Sequence, residues 1–163
     1  MAETGHTAFI GLGSNLDNPR EQVRRAMAEL ASVPHTRGHR QSSLYQTDPV
    51  GYRDQPAFIN AVAKVETTLD PEALLLQLRQ IESAHGRSRG MPNGPRTLDL
   101  DLLLYDDWVL DSPSLVLPHP RMHGRAFVLV PLAELDAEVR IPGIGTVKDA
   151  LAALDQTGVS KLP

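Results

Sequence analysis

Asp99 and Asp101 stand two residues apart in the run Leu98-Asp99-Leu100-Asp101-Leu102. Side chains on an extended strand alternate between its faces, so the two carboxylates share one face while Leu98, Leu100 and Leu102 share the other. Neighbouring acids repel each other. A hard cation such as Mg2+ relieves that repulsion, because it takes oxygen ligands and keeps room for waters and substrate phosphates. Taken alone, the pattern favours a solvent-facing edge strand charged against aggregation. The surroundings weigh against that reading. Arg87, Arg89 and Arg96 precede the acids, and His119, Arg121, His123 and Arg125 follow in one loop. Five arginines around two acids, in loops rich in glycine and proline, suit a di- or triphosphate held between guanidinium groups and carboxylate-bound magnesium. Mutual neutralisation as surface ion pairs would stabilise the fold little. No Gly-x-x-x-x-Gly-Lys-Ser/Thr loop is present, so a P-loop kinase is not supported.

The elements that must position these residues follow from periodicity and punctuation. Thr7 to Leu12 reads as a short buried strand ended by Gly13-Ser14-Asn15. Pro19 starts a helix to about Ala31, with Val23, Ala26, Met27 and Leu30 on one stripe. A strand is predicted between about Thr36 and Thr47, and Asp48 to Pro56 is a loop longer than a hairpin needs. Phe58 to Thr67 is the next strand, with Ile59, Ala61, Ala63 and Val65 on one face and Phe58 and Asn60 on the other. Asp70-Pro71-Glu72 is a helix start, its helix running to about His85, and Gly86 stops it. The Asp-x-Asp strand ends near Tyr105 and is followed by a short return strand near Leu110. A helix from Ala126 to Leu135 contains Pro131, a strand spans Val139 to Ile141, and a last helix runs from Val147 to Leu154. Strand, helix, strand, strand, helix, strand is the order of an α+β, ferredoxin-like βαββαβ sandwich with a C-terminal extension, one sheet face covered by helices and the other open for a site.

The 163 residues fit a single domain over 1–163, and a 41% hydrophobic composition fills a core without disulfides. A formal charge of −4 argues against a general nucleic-acid binder. The absence of cysteine excludes thiolate zinc and cysteine nucleophiles, and is compatible with a reducing compartment. No segment approaches a membrane span, so a cytoplasmic location is the expectation.

Ordered motifs along nearly the whole chain resemble the 6-hydroxymethyl-7,8-dihydropterin pyrophosphokinase family. Gly11-Leu12-Gly13-Ser14-Asn15-Leu16 is similar to its opening. Tyr45-x-Thr47-x-Pro49-x-Gly51-x-x-Asp54-Gln55-Pro56-x-Phe58-x-Asn60 is similar to its second loop, Gly94-Pro95-Arg96-Thr97-Leu98-Asp99-Leu100-Asp101 to its signature, and Leu117-Pro118-His119-Pro120 with Arg125 and Phe127 to its late segment. The resemblance implies transfer of the β,γ-diphosphate of ATP to the pterin hydroxymethyl oxygen, with release of AMP, in folate biosynthesis. It implies two Mg2+ ions on Asp99 and Asp101, and phosphate contacts from Arg87, Arg96, His119 and Arg125. Arg89 matches a further arginine of a lid over the substrates, from Arg87 to Pro95, and Leu102 an adenine-pocket position. Phe58 and Phe127 would sandwich the pterin, with Asn60, Thr47 and the main chain near Asp48 and Val50 reading its edge. The implied partners are ATP and the pterin, with no nucleic acid and no membrane, on a monomer. Asn93 stands where many members carry a tryptophan before Gly-Pro-Arg. A palm-type nucleotidyltransferase, also ferredoxin-like, and a non-catalytic ligand-binding module are the rival readings; release of AMP separates the three.

Overall fold

The computed structural model describes residues 5–49, 54–86 and 97–163. Val50, Arg87, Arg89 and Arg96, together with Asn93 and the expected lid, lie outside the described residues.

In chain order the elements are β1 (His6–Ser14), α1 (Pro19–Leu30), β2 (Thr36–Gln41), β3 (Tyr45–Thr47), β4 (Phe58–Thr67), α2 (Pro71–Ala84), β5 (Asp99–Tyr105), β6 (Leu110–Asp111), β7 (Val116–Leu117), a 3-10 turn (Met122–Gly124), α3 (Ala126–Asp136), β8 (Arg140–Ile141), β9 (Gly145–Thr146), α4 (Val147–Ala152) and β10 (Val159–Lys161). Local chemistry explains the helix starts. Asp70 accepts the Ala73 N–H at 2.8 Å as the cap of α2, with Pro71 in the first turn, where its missing donor costs nothing. α3 continues through Pro131 although an interior proline costs about 3 kcal/mol. Val128, Leu129, Leu132 and Leu135 of the same helix are all buried, and their burial offsets that cost.

The main sheet runs β10-β3-β4-β1-β5, with β2 beside the other half of β4, and every pairing is antiparallel. β2 and β3 form an edge interrupted at Ser42. There the main chain still donates to Val62 O at 2.8 Å, and the Ser42 hydroxyl accepts the Val62 N–H at 2.9 Å. A side-chain oxygen thus replaces a ladder carbonyl, and the single strand expected from Thr36 to Thr47 is divided in two.

One sheet face is covered by helices as expected, and the other is covered in part by α3. Ile10 and Leu12 of β1, Ile59, Ala61, Ala63 and Val65 of β4, and Leu100 and Leu102 of β5 pack beneath α1 and α2. Phe9, Val62, Leu103 and Leu104 face the other way, against Met122 and the apolar side of α3. α3 covers only part of this second face; the rest is the floor of a cleft. The alternation in β5 breaks once, where Ile10 pairs with Leu102 but Phe9 with Leu104, leaving Leu103 as an extra residue. That bulge turns Leu103 and Leu104 both toward α3 and returns Tyr105 to the α1/α2 side. There the Tyr105 hydroxyl donates to Leu69 O at 2.5 Å, and burial, followed by the charges of Asp106 and Asp70, pushes its pKa up to about 12.

Candidate active site

The cleft floor is a row of residues that the strand register places side by side. Asp99 of β5 pairs with Gly13 of β1, Gly13 with Asn60 of β4, and Asn60 with Tyr45 of β3. One step along, Asp101 pairs with Gly11 and Gly11 with Val62. The glycine between the acid and the amide is required by space. A Cβ on Gly13 would stand 2.8 Å from Asn60 Nδ2, so any side chain there would displace the amide. Asn60, 8% exposed, is fixed by the Thr47 hydroxyl, which donates to its Oδ1 at 2.6 Å, while its Nδ2 donates to Leu12 O at 3.4 Å.

A cleft of about 980 Å3 is lined on its β3/β4 side by Thr47, Asp48, Phe58 and Asn60 and on its β5 side by Asp99, Asp101 and His119, with Arg121 and the neighbouring Arg125 and Phe127 also in its lining. Each side chain arrives by a different route. His119 is drawn alongside β5 by its N–H, which donates to Leu103 O at 2.9 Å, and its Nε2 lies 4.0 Å from Asp101 Oδ1. Its Nδ1 accepts the Arg121 N–H at 3.2 Å, which leaves the proton of the neutral ring on Nε2, toward the acid. Burial, with the charges of Arg125 and Arg121 behind it, lowers the His119 pKa to about 4 against a smaller pull from Asp99. His119 is therefore a neutral hydrogen-bond donor at neutral pH. Arg125 precedes α3, and its guanidinium carbon lies 5.5 Å from the Phe127 ring centre. Burial lowers its pKa; the Asp101 charge opposes this, Arg121 adds to the lowering and Asp99 opposes it. Partial burial of the guanidinium lowers the local dielectric and so strengthens its attraction for an anion, while Asp99 and Asp101 offset part of its charge.

Of the expected site residues within the described chain, Asp99, Asp101, Thr47, Asp48, Phe58, Asn60, Phe127, His119 and Arg125 all reach this one cleft. Leu102 does not line it. Its side chain is 3% exposed in the core beneath α1 and α2, because it points opposite to Asp101, so only its main chain is left to meet a ligand. His123 is exposed on the 3-10 turn and is not part of the lining.

The sequence reading missed three contributors. Arg79 of α2 reaches the cleft, where its Nη1 donates to Leu100 O at 2.9 Å and to Glu82 Oε1 at 2.8 Å. The buried Glu82 accepts the Leu100 N–H at 2.8 Å, so a side-chain pair holds the residue between the two aspartates on the side where, among the described residues, no further strand pairs. Glu82, one turn beyond Leu78, falls on the buried stripe of α2, which was the available signal. The second contributor is Asn15, whose amide donates to Gln55 Oε1 and Pro56 O, both at 2.9 Å, joining two of the sequence motifs. The third is the C-terminal segment, with Asp155, Thr157, Gly158 and Val159 on the cleft wall. β10 is too short to show periodicity.

The carboxylate pair suits magnesium. Asp99 and Asp101 are partly exposed on one face of a held strand, and among the described residues no cluster of three or more His, Asp or Glu is gathered in metal-binding geometry. The carboxylate oxygens of Asp99 and Asp101 are hard ligands of the kind Mg2+ takes alongside water and phosphate.

Comparison with known proteins agrees with this geometry. The profile of the family 7,8-dihydro-6-hydroxymethylpterin-pyrophosphokinase (HPPK) matches residues 9–137. The chain is 46% identical over 155 residues to a 2-amino-4-hydroxy-6-hydroxymethyldihydropteridine pyrophosphokinase of Pseudomonas aeruginosa, covering 95% of this chain and 96% of that one. Its identity to the protein of the same name from Bacillus subtilis is 42% over 153 residues, covering 93% and 87%. Among solved structures, an HPPK-DHPS in complex with substrates superposes with a TM-score of 0.70 at 13% identity, over 92% of this chain and 43% of that one. Wild-type Plasmodium falciparum HPPK-DHPS with pteroate gives 0.70 at 14%, over 93% and 43%. The chain thus spans less than half the length of those two structures, and at such identity the likeness is one of fold. Profile, near-full-length relatives and cleft agree: the chain belongs to the 7,8-dihydro-6-hydroxymethylpterin-pyrophosphokinase family.

Proposed function

We propose that this cleft carries out the family's reaction with its two ends in separate roles, one for the heterocycle and one for the triphosphate. The protein is a diphosphokinase of folate biosynthesis: it transfers the β,γ-diphosphate of ATP to the hydroxymethyl group of 6-hydroxymethyl-7,8-dihydropterin and releases AMP. One observation carries the assignment of roles. Phe58, Phe127, Asn60 and Thr47 line the same cleft as Asp99, Asp101, Arg121 and Arg125.

At the first end, Phe58 and Phe127 offer aromatic faces to a planar ring, and Asn60 with Thr47 and the main chain at Asp48 read its donor and acceptor edge. At the second, Arg125 and Arg121 are cations for the phosphates and His119 Nε2–H is a neutral donor. Arg87, Arg89 and Arg96 complete the set by resemblance, and Leu102 is assigned a main-chain contact with the adenine. Asp99 and Asp101 would hold two Mg2+ ions. Bound there, magnesium neutralises the phosphate charge and makes the β-phosphorus more electrophilic. The protein's own groups orient the hydroxymethyl oxygen against the triphosphate and stabilise charge on the phosphate oxygens.

The strand order β3-β4-β1-β5, with α1 and α2 on one face, supports a ferredoxin-like core with a C-terminal extension. Among the described residues no helix is long and apolar enough to cross a membrane. A single domain over 1–163, a monomeric state and a cytoplasmic location complete the reading. The test is incubation with MgATP and the reduced pterin, followed by product identification. AMP and the pterin diphosphate in equal amounts are expected; ADP, or inorganic pyrophosphate from a nucleotidyl transfer, would overturn the assignment.

A further inference from the structure

β10 lies beyond residue 137, where the family match ends, yet it walls the cleft. It pairs with β3, Val159 opposite Thr47, and so covers the edge that β3 turns away from β4. The pairing extends one residue past the strand, because the Asp48 N–H donates to Gly158 O at 3.0 Å. A strand of three residues held on one side only would fray. Held on both sides, β3 fixes Thr47 with its hydroxyl 2.6 Å from Asn60 Oδ1. Gly158 is the point in this wall that excludes a side chain. Its φ of +87° disfavours L-residues, and a Cβ there would stand 2.6 Å from Asp48 Oδ2 and 3.1 Å from Asp48 Cγ. Gly143 has a similar φ of +79° but open space around it, so it carries the backbone demand without the contact.

We propose that Gly158 is a positioning residue for the heterocycle end of the cleft, acting through Asp48 and Thr47 to set how well the pterin edge is read. The inference rests on the assignment of that end to the pterin. A side chain at 158 meets the Asp48 carboxylate and, at a left-handed φ that it resists, strains the Gly158 backbone whose carbonyl accepts the Asp48 N–H next to Thr47, while Asp99, Asp101 and His119 lie on or beside β5, away from that contact.

Gly158→Ala and Gly143→Ala test this by calorimetry and melting. Each is titrated with a non-hydrolysable MgATP analogue, and then with 6-hydroxymethyl-7,8-dihydropterin in the presence of that analogue. Gly158→Ala is expected to weaken pterin binding about tenfold, the scale of one misplaced hydrogen bond, with nucleotide affinity unchanged. Gly143→Ala is expected to lower the melting temperature comparably and to leave both affinities alone. Unchanged pterin affinity in a folded Gly158→Ala protein, or equal weakening of both ligands, overturns the inference. If Gly158→Ala does not fold, the comparison is made in the Asp48→Ala background. Removing the carboxylate removes the two closest contacts, so the added Gly158→Ala change should fold and cost the pterin little; failure to fold there, or a further tenfold loss, overturns the route through Asp48. A wild-type protein that binds the nucleotide but not the pterin overturns the pocket assignment itself, a result distinct from loss of the Gly158 effect alone.

Discussion

The two ends of the cleft are built on opposite principles. On the side proposed for the heterocycle, Asn60 and Thr47 sit on strands and are already engaged: Asn60 is 8% exposed and bonded to Thr47 and Leu12, and Thr47 stands between β4 and β10. On the side proposed for the phosphates the acids sit on a strand, but the other groups come from elsewhere, the neutral His119 and the cations Arg121 and Arg125 from the connection before α3, and the cation Arg79 from α2. The difference matches what each ligand needs. A flat heterocycle is distinguished from its analogues by hydrogen bonds whose directions must not wander, so its readers are locked in advance. A triphosphate is recognised by charge, which acts over several ångströms and tolerates movement of the group that bears it.

The largest way to break the contrast is at the acids. Asp99→Ala and Asp101→Ala should each leave a folded protein whose turnover falls on the order of a thousandfold or more, since each removes a ligand for the metal. Steady-state rates with a melting curve decide it, and near-normal turnover in either variant would remove the metal assignment. Asn60→Ala should act at one end only. It should weaken the pterin by roughly 1–3 kcal/mol and leave MgATP binding intact. Separate titrations check this, and equal loss for both ligands would make Asn60 a scaffold residue. Arg79→Met should have the converse and smaller effect, raising the nucleotide KM several-fold, on the scale of about 1 kcal/mol, with pterin affinity unchanged. A pterin effect of the same size would mean that the Leu100 main chain, not the phosphate end, is what Arg79 supports.

The smallest effect expected is a pH dependence at the support of the heterocycle end. Glu134 of α3 braces the start of β3. It accepts from the Tyr45 hydroxyl at 2.6 Å, and from the Ser43 N–H at 3.0 Å and the Ser43 hydroxyl at 2.9 Å. Burial pushes its pKa up, but these hydrogen bonds and the Lys161 charge outweigh it and hold the carboxyl below its ordinary 4.5. A carboxylate lowered on folding contributes stability above its unfolded pKa and loses it as pH falls through the folded one. Glu134→Gln should therefore melt lower than wild type at neutral pH, with the two curves converging on the acid side of 4.5. A constant difference in melting temperature from pH 7 to pH 3 would show that packing, not charge, carries the brace.

Much of this molecule is written in local pattern. Leucine and aspartate alternating from Leu98 to Leu102 determined that two carboxylates would share a face with a core behind them, because the period of a strand is two whatever lies around it. Asp70-Pro71 determined the start of α2, since cap and proline act within one turn. The motifs from Gly11 to Phe127 were enough to place the chain among its relatives.

Other features depended on partners far away in sequence. Ser42 divides the edge strand by bonding to Val62, and Leu103 is squeezed out of register against β1, so that Tyr105 changes face. Arg79 and Glu82 became part of the site only because β5 left the main chain of Leu100 to be held from α2. α3 reads in sequence as one more helix, and only tertiary packing puts it on the second face of the sheet, over Phe9, Val62, Leu103 and Leu104. Residues 155–159 gave no periodic signal, yet they wall the cleft, because a three-residue strand is specified by the edge it joins and not by its own side chains. Periodicity and capping act within a few residues along the chain, whereas register, bulges and edge pairing are settled between segments that can lie far apart, as Thr47 and Val159 do; the sequence by itself therefore determined which carboxylates share a face, and only the tertiary structure decided what gathers around them and holds them there.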